Sequence, residues 1–187
     1  PLYNGVTRVA VGVPEGAAWT PAPARPAPHR LPVVFYGTSI CQGGCATRPG
    51  MAHVALLGRW LDWHVNNLGF SGDGTMDLEV AELMAQIDAA AYVIDCLPNM
   101  SAEQVAERTA PLVGALRRQR PRTPIILVED RTATNAWLAA GTQQAHAAKR
   151  AALRQAYELL LAGGDRHLHY QEGGNFMGDD AEATVDG

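Results

Sequence analysis

Hydrophobic and polar positions along the chain fall into two rhythms. Short apolar runs at Val33–Tyr36, His64–Leu68, Tyr92–Leu97, Ile125–Glu129 and His167–Gln171 have the length and composition of buried strands. Between them, apolar residues recur at three- and four-residue spacing and predict helices over 51–62, 77–88, 102–119 and 142–162. Ser101 and Gln104 stand at capping-box spacing before the third helix, and Gly163-Gly164 suits a left-handed end to the fourth. Strands alternating with helices in this way predict an α/β fold, a three-layer α/β/α sandwich around a five-stranded parallel sheet.

Upstream, Val6, Val9, Val11 and Val13 alternate for the most part, as in a half-buried strand. No nearby run can pair with it, so residues 1–19 read as the remnant of a β domain lying before Pro1. Prolines at 21, 23, 26, 28 and 32 remove backbone donors from residues 20–32, which read as an extended, semi-rigid linker. The sheet domain then spans 33–187 and, with no helix after its last strand, is expected to be cut short at its C-terminal end.

Composition narrows the function. Of 187 residues, 47% are hydrophobic and 18% charged, enough apolar material for a full core. Fifteen Lys and Arg against nineteen Asp and Glu give a net charge of −4, which offers no general attraction to nucleic acid or anionic membrane surfaces. No apolar run is long enough to span a membrane as a helix. Cys41, Cys45 and Cys96 are too few and too scattered for a disulfide framework or a four-ligand zinc site, so free thiols are expected.

In an open parallel sheet, ligands bind beyond the carboxyl ends of the strands, so the chemistry is sought in the loops that follow them. After the first strand, Gly37-Thr38-Ser39 can present a serine on a tight turn, either as a nucleophile or as a helix cap. The run GTSICQGG carries no Lys-Ser/Thr of a P-loop and no GxGxxG order. After the second strand, Gly72 can offer its N–H to a developing anion or serve a turn. After the third, Asn99 can donate its amide to the same anion or cap the following helix. Glu129-Asp130-Arg131, after the fourth, can hold substrate or brace the loops by ion pairing, and bracing is the expectation. Arg48 is similarly a substrate contact or a solvated surface charge. His167-x-His169 lacks a third metal ligand nearby and reads as a strand pair.

Taken together, Gly37-Thr38-Ser39, NLGFSGDG with Gly72, Leu97-Pro98-Asn99-Met100 and the terminal Asp186 resemble, in order, the sequence blocks of the SGNH (GDSL) hydrolase family. The third block keeps only its asparagine. The wording YGTSICQGG, DCLPNM and VEDRT is similar to a subgroup with a β-sandwich before the hydrolase domain. The resemblance covers residues 33–187 and implies a flavodoxin-like sheet and a serine esterase acting on a small or carbohydrate acyl ester.

The same resemblance implies Ser39 as nucleophile, with the N–H groups of Ser39 and Gly72 and the Asn99 amide as oxyanion donors. Asp186 would polarise a histidine expected two positions beyond Gly187, and no cofactor or metal takes part. None of the six histidines present follows a strand's carboxyl end, so none is expected to replace it. A chain ending at Gly187 would keep nucleophile and donors but lack the base, with turnover lowered by about 10³-fold or more. Two other readings stand beside hydrolysis: an acyltransferase using the same nucleophile, and a noncatalytic binding module with a degenerate site.

Overall fold

The computed structural model describes residues 5–132 and 138–178. Five parallel strands, β1 (Val33–Gly37), β2 (Val65–Gly69), β3 (Ala91–Asp95), β4 (Ile125–Val128) and β5 (Leu168–Gln171), form one sheet in the order β2-β1-β3-β4-β5. Helices α1 (Ser39–Gln42) and α2 (His53–Trp60) connect β1 to β2. Then α3 (Leu78–Met84), α4 (Ala102–Gln119) and α5 (Ala140–Ala162) make the remaining crossovers. The five strands and four longer helices are those of the sequence pattern, with ends moved by a few residues. The capping box forms as read, Gln104 N–H donating to Ser101 Oγ and Ser101 N–H to Gln104 Oε1.

The chain leaves β1 for one edge of the sheet, returns past it to β3, and builds outward to β5. Connections therefore diverge between β1 and β3, and at their carboxyl ends such a sheet has its natural crevice. Alternate side chains on the strands divide the core. Val34, Tyr36, Tyr92, Ile94 and Leu127 pack beneath α3, α4 and α5 as one fully buried cluster. Phe35 and Val93 point the other way, toward α1 and α2, where they meet Cys41, Val54 and Leu57. These two helices lie over the β1–β2 side. Beside them runs a groove of about 870 Å³ floored by Val93, Ile126 and Val128.

The alternating valines of residues 6–13 form no strand and are exposed. A strand's backbone donors and acceptors need a paired neighbour, and none of the described residues supplies one. The proline-rich stretch carries no helix or strand before a 3-10 turn at Ala27–His29. Its end is fastened to the domain: Arg25 pairs with Asp62 at 3.4 Å, and the His29 ring stacks on Trp63 with centroids 4.3 Å apart. Trp63 in turn donates its indole N–H to Leu31 O at 2.8 Å. Trp19 and Trp60 are exposed, so neither joins the core of the sheet domain.

Candidate active site

Ser39 stands at the first position of α1, directly beyond β1, and is half-buried. The capping role falls to Thr38, whose buried hydroxyl accepts from Ile40 N–H at 3.3 Å. That leaves the Ser39 hydroxyl for other work. The turn is tight because its neighbours carry no side chains. A Cβ at Gly37 would lie 2.6 Å from Asp95 O and 2.7 Å from Cys41 Cβ, and one at Gly69 would collide with the Gln42 backbone. Asn67 locks this approach, donating from Nδ2 to Cys41 O at 2.8 Å and accepting from Gly69 N–H at 2.9 Å.

The loop after β2 folds back over this elbow. Phe70 N–H donates to Gly37 O at 2.9 Å. Gly74, buried with φ 74°, lies so close that a Cβ there would strike Gly37 O. Gly72 shares the left-handed conformation but is exposed, with nothing within 4 Å of where a Cβ would stand. From the far side, Asn99 in the 3-10 turn Leu97–Asn99 donates Nδ2 to Asp73 O at 2.6 Å. Ser101 and Gln104 cap α4 by themselves, so the capping role left open for Asn99 is not the one it takes. An amide nitrogen carries two hydrogens, and the second of Asn99 is not used in that bond. Among the described residues, the backbone N–H groups of Ser39 and Gly72 have no hydrogen-bond acceptor. The loop after β2 thus touches both the Ser39 elbow and the Asn99 turn, and among the described residues the site holds two amide donors without acceptors and a side-chain amide.

The charged loop after β4 braces its surroundings. Glu129 accepts from Tyr170 OH at 2.6 Å and from Gly173 N–H at 3.0 Å. Asp130, only 1% exposed, pairs with Arg131 at 2.9 Å and with Lys149 of α5 at 3.2 Å. Lys149 also donates to Leu97 O at 3.1 Å and Pro98 O at 3.4 Å, so a largely buried side chain ties down the turn that bears Asn99. No motif in the sequence marks Lys149, because its partners come from two distant loops.

His53 lines the groove beside this region, and its Nε2 lies 3.7 Å from Asp95 Oδ2. Burial lowers the His53 pKa. Burial, with a smaller contribution from the Asp130 charge, pushes the Asp95 carboxyl up to about 7. His53 therefore favours its neutral form near neutral pH, where Asp95 is poised between its two forms. Sequence reasoning passed over the pair since His53 follows no strand. The two line the groove on the α2 face, whose wall includes Ile40 and Pro98 but not Ser39. Burial likewise raises the Cys41 and Cys96 thiols far above their usual range, which suits packing residues. Arg48 and His169 are exposed, and no cluster of three metal-ligating side chains forms among the described residues. Asp186 lies outside the described residues.

The sequence profile of the GDSL-like lipase/acylhydrolase family matches residues 30–187. Among solved structures, a protein of Bacteroides ovatus described as a GDSL-like lipase is 38% identical, with a TM-score of 0.81 over 86% of this chain. The chain spans 48% of that protein's length. The salicylyl-acyltransferase SsfX3 from a tetracycline biosynthetic pathway is 25% identical, with a TM-score of 0.67 over 76% of this chain and 42% of its own. A family two carbohydrate esterase from Clostridium thermocellum, 16% identical with a TM-score of 0.56, shares the fold over 80% of this chain and 55% of its own. No curated protein matches the chain.

Proposed function

Because the chain belongs to the GDSL-like lipase/acylhydrolase family, the SGNH hydrolases, we propose that it forms the sheet domain of a serine ester hydrolase acting on a small or carbohydrate acyl ester. The supporting observation is that the Gly72 loop touches both the Ser39 elbow and the Asn99 turn at the divergence of β1 and β3, and that among the described residues two backbone N–H groups there lack acceptors.

In this reading the Ser39 hydroxyl oxygen adds to the ester carbonyl carbon while its proton passes to a base. The carbonyl oxygen gathers negative charge, which the N–H groups of Ser39 and Gly72 and the Asn99 amide stabilise. The base is a histidine oriented by Asp186, the role the family resemblance implies. Collapse of the tetrahedral species expels the alcohol, which takes the proton from that histidine, and leaves an acyl group on Ser39. Water then repeats the sequence and releases the acid.

A second reading shares the first half: an acceptor alcohol takes the acyl group in place of water. The 25% identity to an acyltransferase favours keeping it in view.

The test uses the full-length protein with p-nitrophenyl acetate and a serine-reactive phosphonate. Hydrolysis that disappears in Ser39→Ala, with phosphonate mass added on the Ser39 peptide, supports the enzyme. Unlabelled Ser39 and slow hydrolysis unaffected by the substitution would instead favour a binding module. Adding alcohols and weighing ester against acid in the products separates transferase from hydrolase.

A further inference from the structure

The loop that carries Gly72 holds three left-handed residues within five: Gly72 at φ 74°, Gly74 at φ 74° and Met76 at φ 59°. For the two glycines this conformation is easy. For Met76 it is not, since a Cβ crowds the following carbonyl, and such a residue persists only where its surroundings hold it.

The holding comes from β1 and α4. Arg108 Nη1 donates to both Thr75 O and Thr75 Oγ1 at 2.9 Å and approaches Asp77 Oδ1 at 3.4 Å. Asp77 Oδ2 accepts from Tyr36 OH at 2.7 Å, and Asp77 N–H donates back to that hydroxyl at 3.1 Å. Thr75 closes the ring, its hydroxyl donating to Asp77 Oδ1 at 3.0 Å. The next residue of α4, Thr109, contacts Met76 Sδ at 3.5 Å, and the Met76 side chain is buried. Tyr36 stands three positions before Ser39. The clip therefore joins the strand that delivers Ser39, the loop that delivers Gly72, and the helix that follows Asn99.

Arg108 and Asp77 are each about one-third exposed, at 35% and 33%, so as an ion pair they add little to global stability. Their geometry is specific to the loop instead, because the guanidinium is spent on one residue's carbonyl and hydroxyl. We infer that Arg108 and Asp77 are positioning residues, which act through Thr75 and Met76 to hold the Gly72 N–H where the oxyanion forms. The inference rests on the proposed esterase reading of Ser39 and Gly72.

The experiment compares full-length wild type, Arg108→Met, Arg108→Lys and the helix control Arg118→Met, which removes only the exposed Arg118–Glu82 pair. Amide hydrogen exchange at Gly72 and Asp73 is measured beside kcat, KM and melting temperature. Arg108→Met is expected to speed exchange at Gly72 and lower kcat by about 10- to 100-fold, the scale of a small misplacement of a catalytic group, with KM changed less than about twofold. Arg108→Lys should fall between it and wild type, and Arg118→Met should match wild type. Unchanged exchange at Gly72, or a kcat loss no larger than in the control, overturns the inference while leaving the esterase intact. Absence of Ser39-dependent turnover in wild type would remove the esterase reading and this inference with it.

Discussion

Asn99 donates its side-chain amide to the main-chain carbonyl of Asp73 at 2.6 Å, joining the loop after β3 to the loop after β2. Because β1 lies between those two strands, the bond bridges directly over the strand end that presents Ser39. Asn99→Ala removes both a proposed oxyanion donor and this bridge. The expected outcome in steady-state ester hydrolysis is a kcat lower by about 10²- to 10³-fold with KM little altered. A loss confined to KM would reassign Asn99 to substrate binding.

Two glycines with the same φ should respond differently to alanine. At Gly72 the new methyl meets empty space, so the cost is the left-handed backbone alone, about 1 kcal/mol. At Gly74 the methyl strikes Gly37 O as well, and the loop has to move off the elbow. Thermal melts should show Gly72→Ala a few degrees below wild type and Gly74→Ala far lower. Similar melting temperatures for the two would contradict the close packing of loop on strand.

Asp95 predicts a pH dependence of stability. Burial disfavours its charge and pushes the carboxyl from 3.8 in the unfolded chain up to about 7 in the fold. Between those values the folded chain keeps a proton that the unfolded chain has lost, so stability is full at low pH and falls as pH rises toward 7. His53, lowered by burial, works in the opposite sense, withdrawing stability as pH drops below 6.5. Asp95→Asn should therefore raise the melting temperature at pH 8 and leave it nearly unchanged at pH 4.5. Parallel curves for variant and wild type would show that Asp95 titrates normally.

Lys149 is 12% exposed and shares its charge between Asp130 and two carbonyls. Lys149→Met is expected to cost about 2–3 kcal/mol in urea unfolding, less than for a fully orphaned carboxylate because Arg131 still faces Asp130. Since the same ammonium secures the Leu97–Asn99 turn, kcat should fall too.

The strand and helix order was legible because buried parallel strands read as short apolar runs, and the loops bearing Ser39, Gly72 and Asn99 followed from the ends of those runs. What escaped was the long-range polar scaffolding. Lys149, Arg108 and the His53–Asp95 pair meet their partners only through the crossover geometry, and no local spacing announces a contact spanning 52 residues such as Lys149 to Leu97. The valines of residues 6–13 carry a strand's alternation, yet alternation describes which face would be buried and cannot itself provide the neighbour that pairs the backbone. Of the two roles open to Ser39, the capping one falls to Thr38, since both residues are competent and the turn geometry chooses between them.

Gly37, Gly69 and Gly74 bring three segments of polypeptide together at bare backbone distance beneath Ser39. A foundation made of main chain leaves almost nothing for point substitution to reshape without breaking it. On the proposed esterase reading, variation in which esters fit would have to arise from groove-lining side chains such as Ile40 and Pro98, while the platform below stays fixed.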